Sequence, residues 1–266
     1  MTDPRPISVL TIAGSDSGGG AGIQADLKVF AALGVHGLSA IAALAAQNTL
    51  GVTAVHVPPV EFLRAQIDAC FDDFRIGAVK LGMLATADVI HAVADALETW
   101  RPPHVVLDPV MVATSGARLL QPDALDALRT RLLPLATLVT PNIPEAALLL
   151  GHRIDDAAAA ASAVTAMRAL GARAVLLKGA HMDEGGQVVD RFDDGHVTAS
   201  FAHTRLPLEG HGTGCALGSA IAAYLCLGQP LREACESAVA FVSRALRDGQ
   251  RPGNCDVVVL RYAPRG

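Results

Sequence analysis

Short apolar runs alternate with segments of helical periodicity along most of this chain. The strand-like runs occupy residues 7–13, 52–57, 76–82, 105–107, 137–140 and 174–177. Helical spacing of apolar residues recurs in residues 23–31, 62–74, 89–100, 125–133, 157–170, 219–225 and 231–246. Alternation of this kind builds βαβ units around a mostly parallel sheet. No internal repeat or linker interrupts the pattern, so we predict one α/β domain covering residues 1–266.

Composition and charge narrow the class of protein. Hydrophobic residues make up 51% of the chain and aromatic residues only 4%, which predicts a large aliphatic core. The formal net charge is −5 with no basic stripe, so nucleic acid is not expected as a partner. No apolar run is long enough to cross a bilayer, and residues 1–6 show no signal-peptide pattern. A membrane partner is therefore not expected either.

The five cysteines indicate a reducing compartment. Their number is odd, and no CxxC pair is present. Without a secretion signal, free thiols in the cytoplasm are the expected state, and a zinc site is not expected. The positions are Cys70, Cys215, Cys226, Cys235 and Cys255.

A glycine turn that leads directly into a helix lies at residues 209–218. Gly212 and Gly214 permit backbone angles that other residues resist and let a ligand approach the main chain closely. A helix start offers unpaired N–H groups and a partial positive charge, which together form an anion site. Cys215 would have a lowered thiol pKa at that end. The alternative is a glycine-rich turn with a small packing cysteine.

A second glycine-rich loop, residues 14–22, separates the first strand from the first helix. It lacks the Lys-Ser/Thr of a P-loop, and GxGxxG does not match it in register. We therefore expect this loop to cover a small substrate rather than hold a pyrophosphate.

Four polar residues directly follow or closely follow predicted strands. They are Asp108, Asn142, Glu145 and Lys178. Each alone has an ordinary structural explanation, such as a turn residue or an acid in a first helical turn. In parallel sheets, however, ligands bind outside the carboxyl ends of the strands, where all four would meet. Carboxylates suit Mg²⁺ and a lysine suits a phosphate, so the set indicates phosphoryl transfer.

Six ordered motifs carry a family resemblance. They lie at residues 14–28, 46–49, 80–83, 108–111, 140–146 and 211–215. In these motifs the chain resembles hydroxymethylpyrimidine/phosphomethylpyrimidine kinases, thiamine-biosynthetic enzymes of the ribokinase-like superfamily. The resemblance implies a three-layer sandwich with a central, mostly parallel sheet flanked by helices, and a homodimer. It also implies two ATP-dependent phosphorylations of 4-amino-5-hydroxymethyl-2-methylpyrimidine, first to the monophosphate and then to the diphosphate.

The resemblance also implies roles for individual residues. Gly212, Thr213 and Gly214 would form an anion hole with the Cys215 N–H, and Cys215 stands where related sugar kinases carry an aspartate base. Asp108 and Glu145 would serve Mg²⁺, whereas ATP phosphates would contact Asn142, Lys178 and Thr213. The pyrimidine pocket would be lined by Gly14, Ala21, Asp26, Gln47, Met83 and Val110.

Three alternative functions remain. A pyridoxal kinase on the same fold also phosphorylates a hydroxymethyl group on an aromatic ring. The Gln47 amide, with one acceptor and one donor group, favours an aminopyrimidine edge instead. A cysteine phosphatase requires CxxxxxR, and Ile221 occupies the arginine position. A non-catalytic binding module is disfavoured because Asp108, Glu145 and Lys178 are all present.

Overall fold

A nine-stranded sheet forms the centre of the computed structural model, which describes residues 5–112, 116 and 119–263. Its strands are β1 (Ile7–Asp16), β2 (His36–Asn48), β3 (Gly51–His56), β4 (Arg75–Leu81), β5 (His104–Leu107), β6 (Leu138–Val139), β7 (Val175–Leu177), β8 (Gln187–Asp193) and β9 (Thr198–Thr204). Their spatial order is β3-β2-β1-β4-β5-β6-β7-β8-β9. The six strands from β2 to β7 in that order are parallel, whereas β3, β8 and β9 each run antiparallel to their inner neighbour.

Helices cover both faces of the sheet. They are α1 (Gly22–Ala32), α2 (Val60–Asp73), α3 (Ala87–Trp100), α4 (Ala124–Ala127), α5 (Ile143–Leu150), α6 (Ala157–Ala169), α7 (Thr213–Cys226) and α8 (Leu231–Arg247). One core packs α2 to α6 against the sheet, and a second core packs α1, α7 and α8 against the other face. Successive side chains of β1 point to opposite faces of the sheet, so Leu10 and Ile12 lie in the first core and Val9 lies in the second. The predicted three-layer α/β architecture is confirmed.

The element predictions hold best where periodicity is strong. Gly228 followed by Pro230 predicts the end of α7, and the helix does end at Cys226, with Gly228 at φ of 86°. Short apolar runs around Val188 and Val197 flank Asp193-Asp194-Gly195, a sequence that predicts a hairpin, and strands β8 and β9 form it there. Strand β1 runs three residues beyond the predicted Ala13, to Asp16.

The helix predicted at residues 125–133 is present, but its geometry is irregular. Helix α4 has only four residues and continues as a π-helical turn, Leu128–Leu132, and a 3-10 turn, Leu133–Leu135. Pro134 lies in the last turn, and it has no N–H with which to continue the α-helical ladder.

A small two-stranded sheet brings the last described segment onto the glycine turn. Strand β10 (Gly210–His211) pairs in parallel with β11 (Val258–Val259), and His211 lies opposite Val259. The Val258 N–H also donates to the Glu209 carbonyl at 2.8 Å. This pairing supports the chain immediately before α7, where the predicted anion site lies.

The described residues can be searched for membrane-spanning helices and for disulfides. Among those residues, no helix combines the length and the apolar character needed to span a membrane. The five cysteines all lie within the described ranges, and each is a free thiol.

Candidate active site

The polar residues at the strand ends converge as the parallel sheet predicts. Asp108 follows β5, and Lys178 follows β7. The Lys178 ammonium lies 2.7 Å from Asp108 Oδ1 and 3.7 Å from Glu145 Oε2. A backbone bridge joins Asn142 to Lys178 in parallel, and the Lys178 N–H donates to the Pro141 carbonyl at 2.8 Å. One cation and two carboxylates thus meet at a single edge of the sheet.

Asn142 and Glu145 are held by a reciprocal capping box at the start of α5. The Glu145 N–H donates to Asn142 Oδ1 at 2.8 Å, and the Asn142 N–H donates to Glu145 Oε2 at 2.7 Å. The acceptor end of the Asn142 amide is therefore used by the helix. Its NH₂ group is the end suited to a phosphate oxygen.

Burial controls the ionisation of this cluster. It raises the pKa of Glu145 to about 7, an effect that Lys178 opposes and Asp108 reinforces. Burial lowers the pKa of Lys178, but Asp108 and Glu145 outweigh it and keep the pKa above its ordinary range. Within residues 5–112, 116 and 119–263, no group of three or more His, Cys, Asp and Glu side chains is arranged to hold a metal. Two carboxylates nevertheless fit Mg²⁺, which takes its other ligands from water and phosphates.

The glycine turn places the start of α7 beside this cluster. Gly212 is the N-cap of α7 and has φ of 81°, a conformation that favours glycine. A methyl group added at Gly214 would lie 3.1 Å from Lys178 Nζ and 3.5 Å from Asp108 Oδ2. The unpaired N–H groups of the first helical turn therefore lie alongside the cation and the carboxylate.

Cys215 does not have the lowered pKa that its position at a helix start predicted. Burial raises the pKa of the Cys215 thiol to about 11, although nearby Lys80 lowers it; Asp26 and Asp108 raise it further. The prediction of a favoured thiolate was wrong, because desolvation outweighs the positive charges around the sulfur. At neutral pH this residue is a thiol.

The two glycine loops are in direct contact. A methyl group at Gly212 would overlap the Gly20 carbonyl oxygen, so only glycine fits there. Asp16 stabilises the first loop, because its carboxylate accepts the N–H groups of Gly18, Gly20 and Ala21 at 2.8, 3.0 and 2.8 Å. Burial raises the pKa of Asp16, but hydrogen bonds from His211 and from that loop lower it more, so the pKa lies below its ordinary value.

A cavity of about 740 Å³ joins the two loops to the strand ends. Its lining includes these sequence-predicted residues: Gly14, Ala21, Gln47, Met83, Asp108, Val110, Asn142, Glu145, Lys178, Gly212, Thr213, Gly214 and Cys215. The cavity therefore brings the residues predicted for the ring and the residues predicted for phosphate into one continuous space.

Asp26 is the exception, and its predicted contact with substrate does not agree with its position. Its side chain is fully buried and outside the lining of the cavity. The carboxylate binds Lys80 Nζ at 2.9 Å and accepts the hydroxyls of Thr11 and Ser219 at 2.6 and 2.7 Å. Asp26 instead neutralises Lys80, which does line the cavity.

Several cavity residues received no role from the sequence, among them Asp16, His211, Lys80 and Asp190. Asp16 and His211 lie 3.1 Å apart and bind the two glycine loops to each other. Lys80 was detectable as a charged residue inside an apolar strand. Asp190 is buried and accepts the Gly179 N–H at 2.8 Å, but its position in β8 carried no signal of a site.

Sequence comparison identifies close relatives. Residues 16–259 match the family described as phosphomethylpyrimidine kinase. A hydroxymethylpyrimidine/phosphomethylpyrimidine kinase from Rhizobium meliloti is 51% identical over 245 residues, covering 91% of each chain. The thiamine biosynthesis bifunctional protein ThiED of Geobacter sulfurreducens is 50% identical over 247 residues, covering 92% of this chain and 50% of that protein. The chain thus spans about half the length of the second relative.

Solved structures share the fold over most of the chain. A phosphomethylpyrimidine kinase from Clostridium difficile has a TM-score of 0.81 at 40% identity, covering 90% of this chain and 99% of its own. A pyridoxal kinase from Staphylococcus aureus in complex with ADP has a TM-score of 0.88 at 32% identity, covering 98% and 94%. Both ring types of substrate are therefore represented among the neighbours.

Proposed function

The chain belongs to the phosphomethylpyrimidine kinase family, and we propose that its sheet-edge site phosphorylates 4-amino-5-hydroxymethyl-2-methylpyrimidine and then the monophosphate. The protein is a kinase of thiamine biosynthesis, like its hydroxymethylpyrimidine/phosphomethylpyrimidine kinase relatives. The phosphoryl donor we propose is ATP, supported by the ADP complex of the Staphylococcus aureus neighbour.

One observation carries the proposal. The first turn of α7 lies against Lys178 and Asp108 at Gly214, and the same cavity reaches Gln47, Met83 and Val110. A helix start with unpaired N–H groups beside a lysine suits a phosphoryl group in transfer. A small ring held near Gln47 would then direct its hydroxymethyl group toward that helix start.

The residues at the strand ends would bind different parts of the nucleotide and its metal ion. Lys178 and the Asn142 NH₂ group would contact phosphate oxygens, while Asp108 and Glu145 would hold Mg²⁺ and its waters. When bound, Mg²⁺ neutralises charge on the phosphates. The N–H groups of Thr213, Gly214 and Cys215 would stabilise the transferred group. Cys215 would accept the substrate hydroxyl proton in the first step only as the thiolate, a small fraction of the residue at neutral pH.

A pyridoxal kinase activity is the second candidate, because the Staphylococcus aureus pyridoxal kinase has the higher TM-score. Sequence identity favours the pyrimidine, at 40% for the phosphomethylpyrimidine kinase and 32% for the pyridoxal kinase. Gln47 at the cavity wall favours it as well, because a side-chain amide matches an amino group beside a ring nitrogen.

A substrate panel tests the proposal. ADP release is measured with the aminopyrimidine alcohol, its monophosphate and pyridoxal, with and without Mg²⁺. We expect both pyrimidines to be phosphorylated with a kcat/KM at least tenfold above that of pyridoxal. Equal or greater activity on pyridoxal would replace the first candidate with the second, and activity independent of Mg²⁺ would contradict the assigned carboxylates.

We also propose a homodimer in the cytoplasm. The family resemblance supports the dimer, and the outer edge of the sheet exposes Leu44, Leu50 and Val55 around strand β3. The free thiols support a reducing compartment. Sedimentation equilibrium tests the dimer, and a monomer at micromolar concentration would refute it.

A further inference from the structure

A single ring nitrogen of His211 contacts two different side chains. His211 Nε2 lies 3.1 Å from Asp16 Oδ2 and 3.2 Å from Gln47 Nε2. All three residues line the cavity, and His211 and Asp16 are buried. The three side chains come from the first glycine loop, the end of β2 and the residue before the Gly212 turn.

Asp16 determines which ring nitrogen of His211 carries a hydrogen. Its carboxylate accepts three backbone N–H groups, so each of these partners is a donor. A carboxylate in this setting only accepts hydrogen bonds. The bond at 3.1 Å therefore requires a hydrogen on His211 Nε2.

The hydrogen on His211 Nε2 in turn determines which end of the Gln47 amide points toward the ring. The amide NH₂ group is only a donor and cannot bond to a nitrogen that carries a hydrogen. Turning the amide by 180° about its last bond keeps its shape and places Oε1, an acceptor, next to His211 Nε2. The single hydrogen on Nε2 is then shared between Asp16 Oδ2 and Gln47 Oε1 in a three-centre hydrogen bond. The NH₂ group then faces the cavity.

Two hydrogen bonds with Ser17 fix the position of the Gln47 main chain. Its carbonyl accepts the Ser17 hydroxyl at 2.6 Å, and its N–H donates to Ser17 Oγ at 2.8 Å. Beside the His211 ring, a methyl group at Gly20 would lie 2.5 Å from Cδ2, so the ring is closely packed as well. The main chain of Gln47 and the ring of His211 are thus held in place.

We propose that His211, oriented by Asp16, is a positioning residue that turns the Gln47 NH₂ group toward the substrate and makes the site select rings with an acceptor nitrogen next to the amino carbon. The inference rests on the proposed function, because it takes Gln47 as the residue that reads the ring. The side-chain contacts of His211 are with Gln47 and Asp16, so its proposed role is to position the amide.

A pair of substrates tests the proposal. The parent aminopyrimidine alcohol is compared with an analogue in which the ring nitrogen next to the amino carbon is replaced by CH. The analogue leaves the Gln47 NH₂ group without a partner, so wild-type protein should prefer the parent by roughly 10- to 100-fold in kcat/KM. A wild-type ratio near one would overturn the inference.

His211 variants then separate orientation from packing. In His211→Phe the ring shape remains and the hydrogen-bond donor is lost, so the preference should fall to about threefold or less. His211→Gln, which offers an amide nitrogen at a similar reach, should recover most of it. The control is His152→Asn at an exposed position outside the cavity, which should keep the wild-type ratio.

Two further measurements keep the outcomes distinct. Nitrogen-15 NMR should show a hydrogen on His211 Nε2 in the free protein, and an unprotonated Nε2 would overturn the inference. If His211→Phe does not fold, Gln47→Glu replaces it and should lower kcat/KM for the parent but not for the analogue; equal loss would overturn the inference. Wild-type protein that neither binds nor phosphorylates either ring would refute the proposed function itself, whereas phosphorylation with an unchanged ratio in His211→Phe refutes only the role of His211.

Discussion

Gly214 is the residue at which one methyl group tests the anion site most directly. In Gly214→Ala the new carbon would lie 3.1 Å from Lys178 Nζ, in the space beside the cation that a phosphoryl group needs. We expect kcat to fall by about 100-fold, the usual loss when one donor of such a site is disturbed. Gly218→Ala, one turn later with ordinary contacts of 3.6 Å, is the control. Similar kcat values in the two variants would exclude the anion site.

Cys215→Ala tests the proton acceptor. With a pKa of about 11, Cys215 is almost wholly protonated at neutral pH, so only its small thiolate fraction can accept a proton, and phosphoryl transfer depends mainly on positioning. We therefore expect kcat for the first phosphorylation to fall by roughly tenfold, and less for the second, whose phosphate nucleophile is already ionised. Rapid-quench measurement of each step decides the matter. Equal losses in both steps would indicate positioning alone.

Glu145 predicts a pH dependence of metal binding. Its pKa of about 7 in the folded protein exceeds its ordinary value of 4.5, so its contribution to stability is fully present below 4.5 and is lost as the pH rises through 7. Mg²⁺ requires the ionised carboxylate, so its affinity should rise by about tenfold between pH 6 and pH 8. Calorimetric titration measures this. The rise should be mostly absent in Glu145→Gln, and a full rise in that variant would assign the dependence to another group.

At the scale of elements, the contact between the two glycine loops at Gly212 should stabilise the start of α7. Gly212 and Gly228 flank α7 with φ of 81° and 86°, so alanine at either position costs about 1–2 kcal/mol in backbone strain. Only Gly212 lies against another loop, because a methyl group there would meet the Gly20 carbonyl and none of the described atoms lies within 4 Å at Gly228. We expect Gly212→Ala to lose at least 1 kcal/mol more in urea unfolding, together with activity. Equal losses would show that the loops do not depend on this contact.

The elements themselves were largely predictable from local pattern. Helix α7 and the β8–β9 hairpin follow from spacing and from glycine signals that act within a few residues. The small sheet of β10 and β11 was not predictable, because Gly210 pairs with Val258, far along the chain, through only two residues on each side. Such short pairings depend on the tertiary structure that brings them together.

For the whole molecule, the Lys80–Asp26 pair joins four elements in the interior. Lys80 lies on β4 and Asp26 on α1, while Thr11 on β1 and Ser219 on α7 complete the carboxylate's hydrogen bonds. Lys80→Met leaves a buried charge unpaired and should cost about 3–5 kcal/mol of unfolding free energy. The double variant Lys80→Met/Asp26→Leu should recover most of it. If the losses of unfolding free energy in the two single variants were additive in the double variant, as measured by urea unfolding, this explanation would be contradicted.

The sequence alone determined the layers of the fold and the edge at which the chemistry lies. Hydrophobic periodicity is local, and parallel strands bring their carboxyl ends together, so the order of residues was enough to place Asp108, Asn142 and Lys178 at one edge. The family motifs then predicted the kinase activity, which the relatives confirm. Residue roles within the site stay predictions.

Only the tertiary structure decided which side chain each polar group faces. Asp26 has the spacing of a solvated helical acid, yet Lys80, 54 positions later, makes it a buried counter-ion. Cys215 stands at a helix start that favours a thiolate, yet burial raises its pKa. His211 and Asp16 are 195 positions apart and meet at one nitrogen. Burial and distant partners set the energies of charged and hydrogen-bonding groups, and neither is written in the local pattern of the chain.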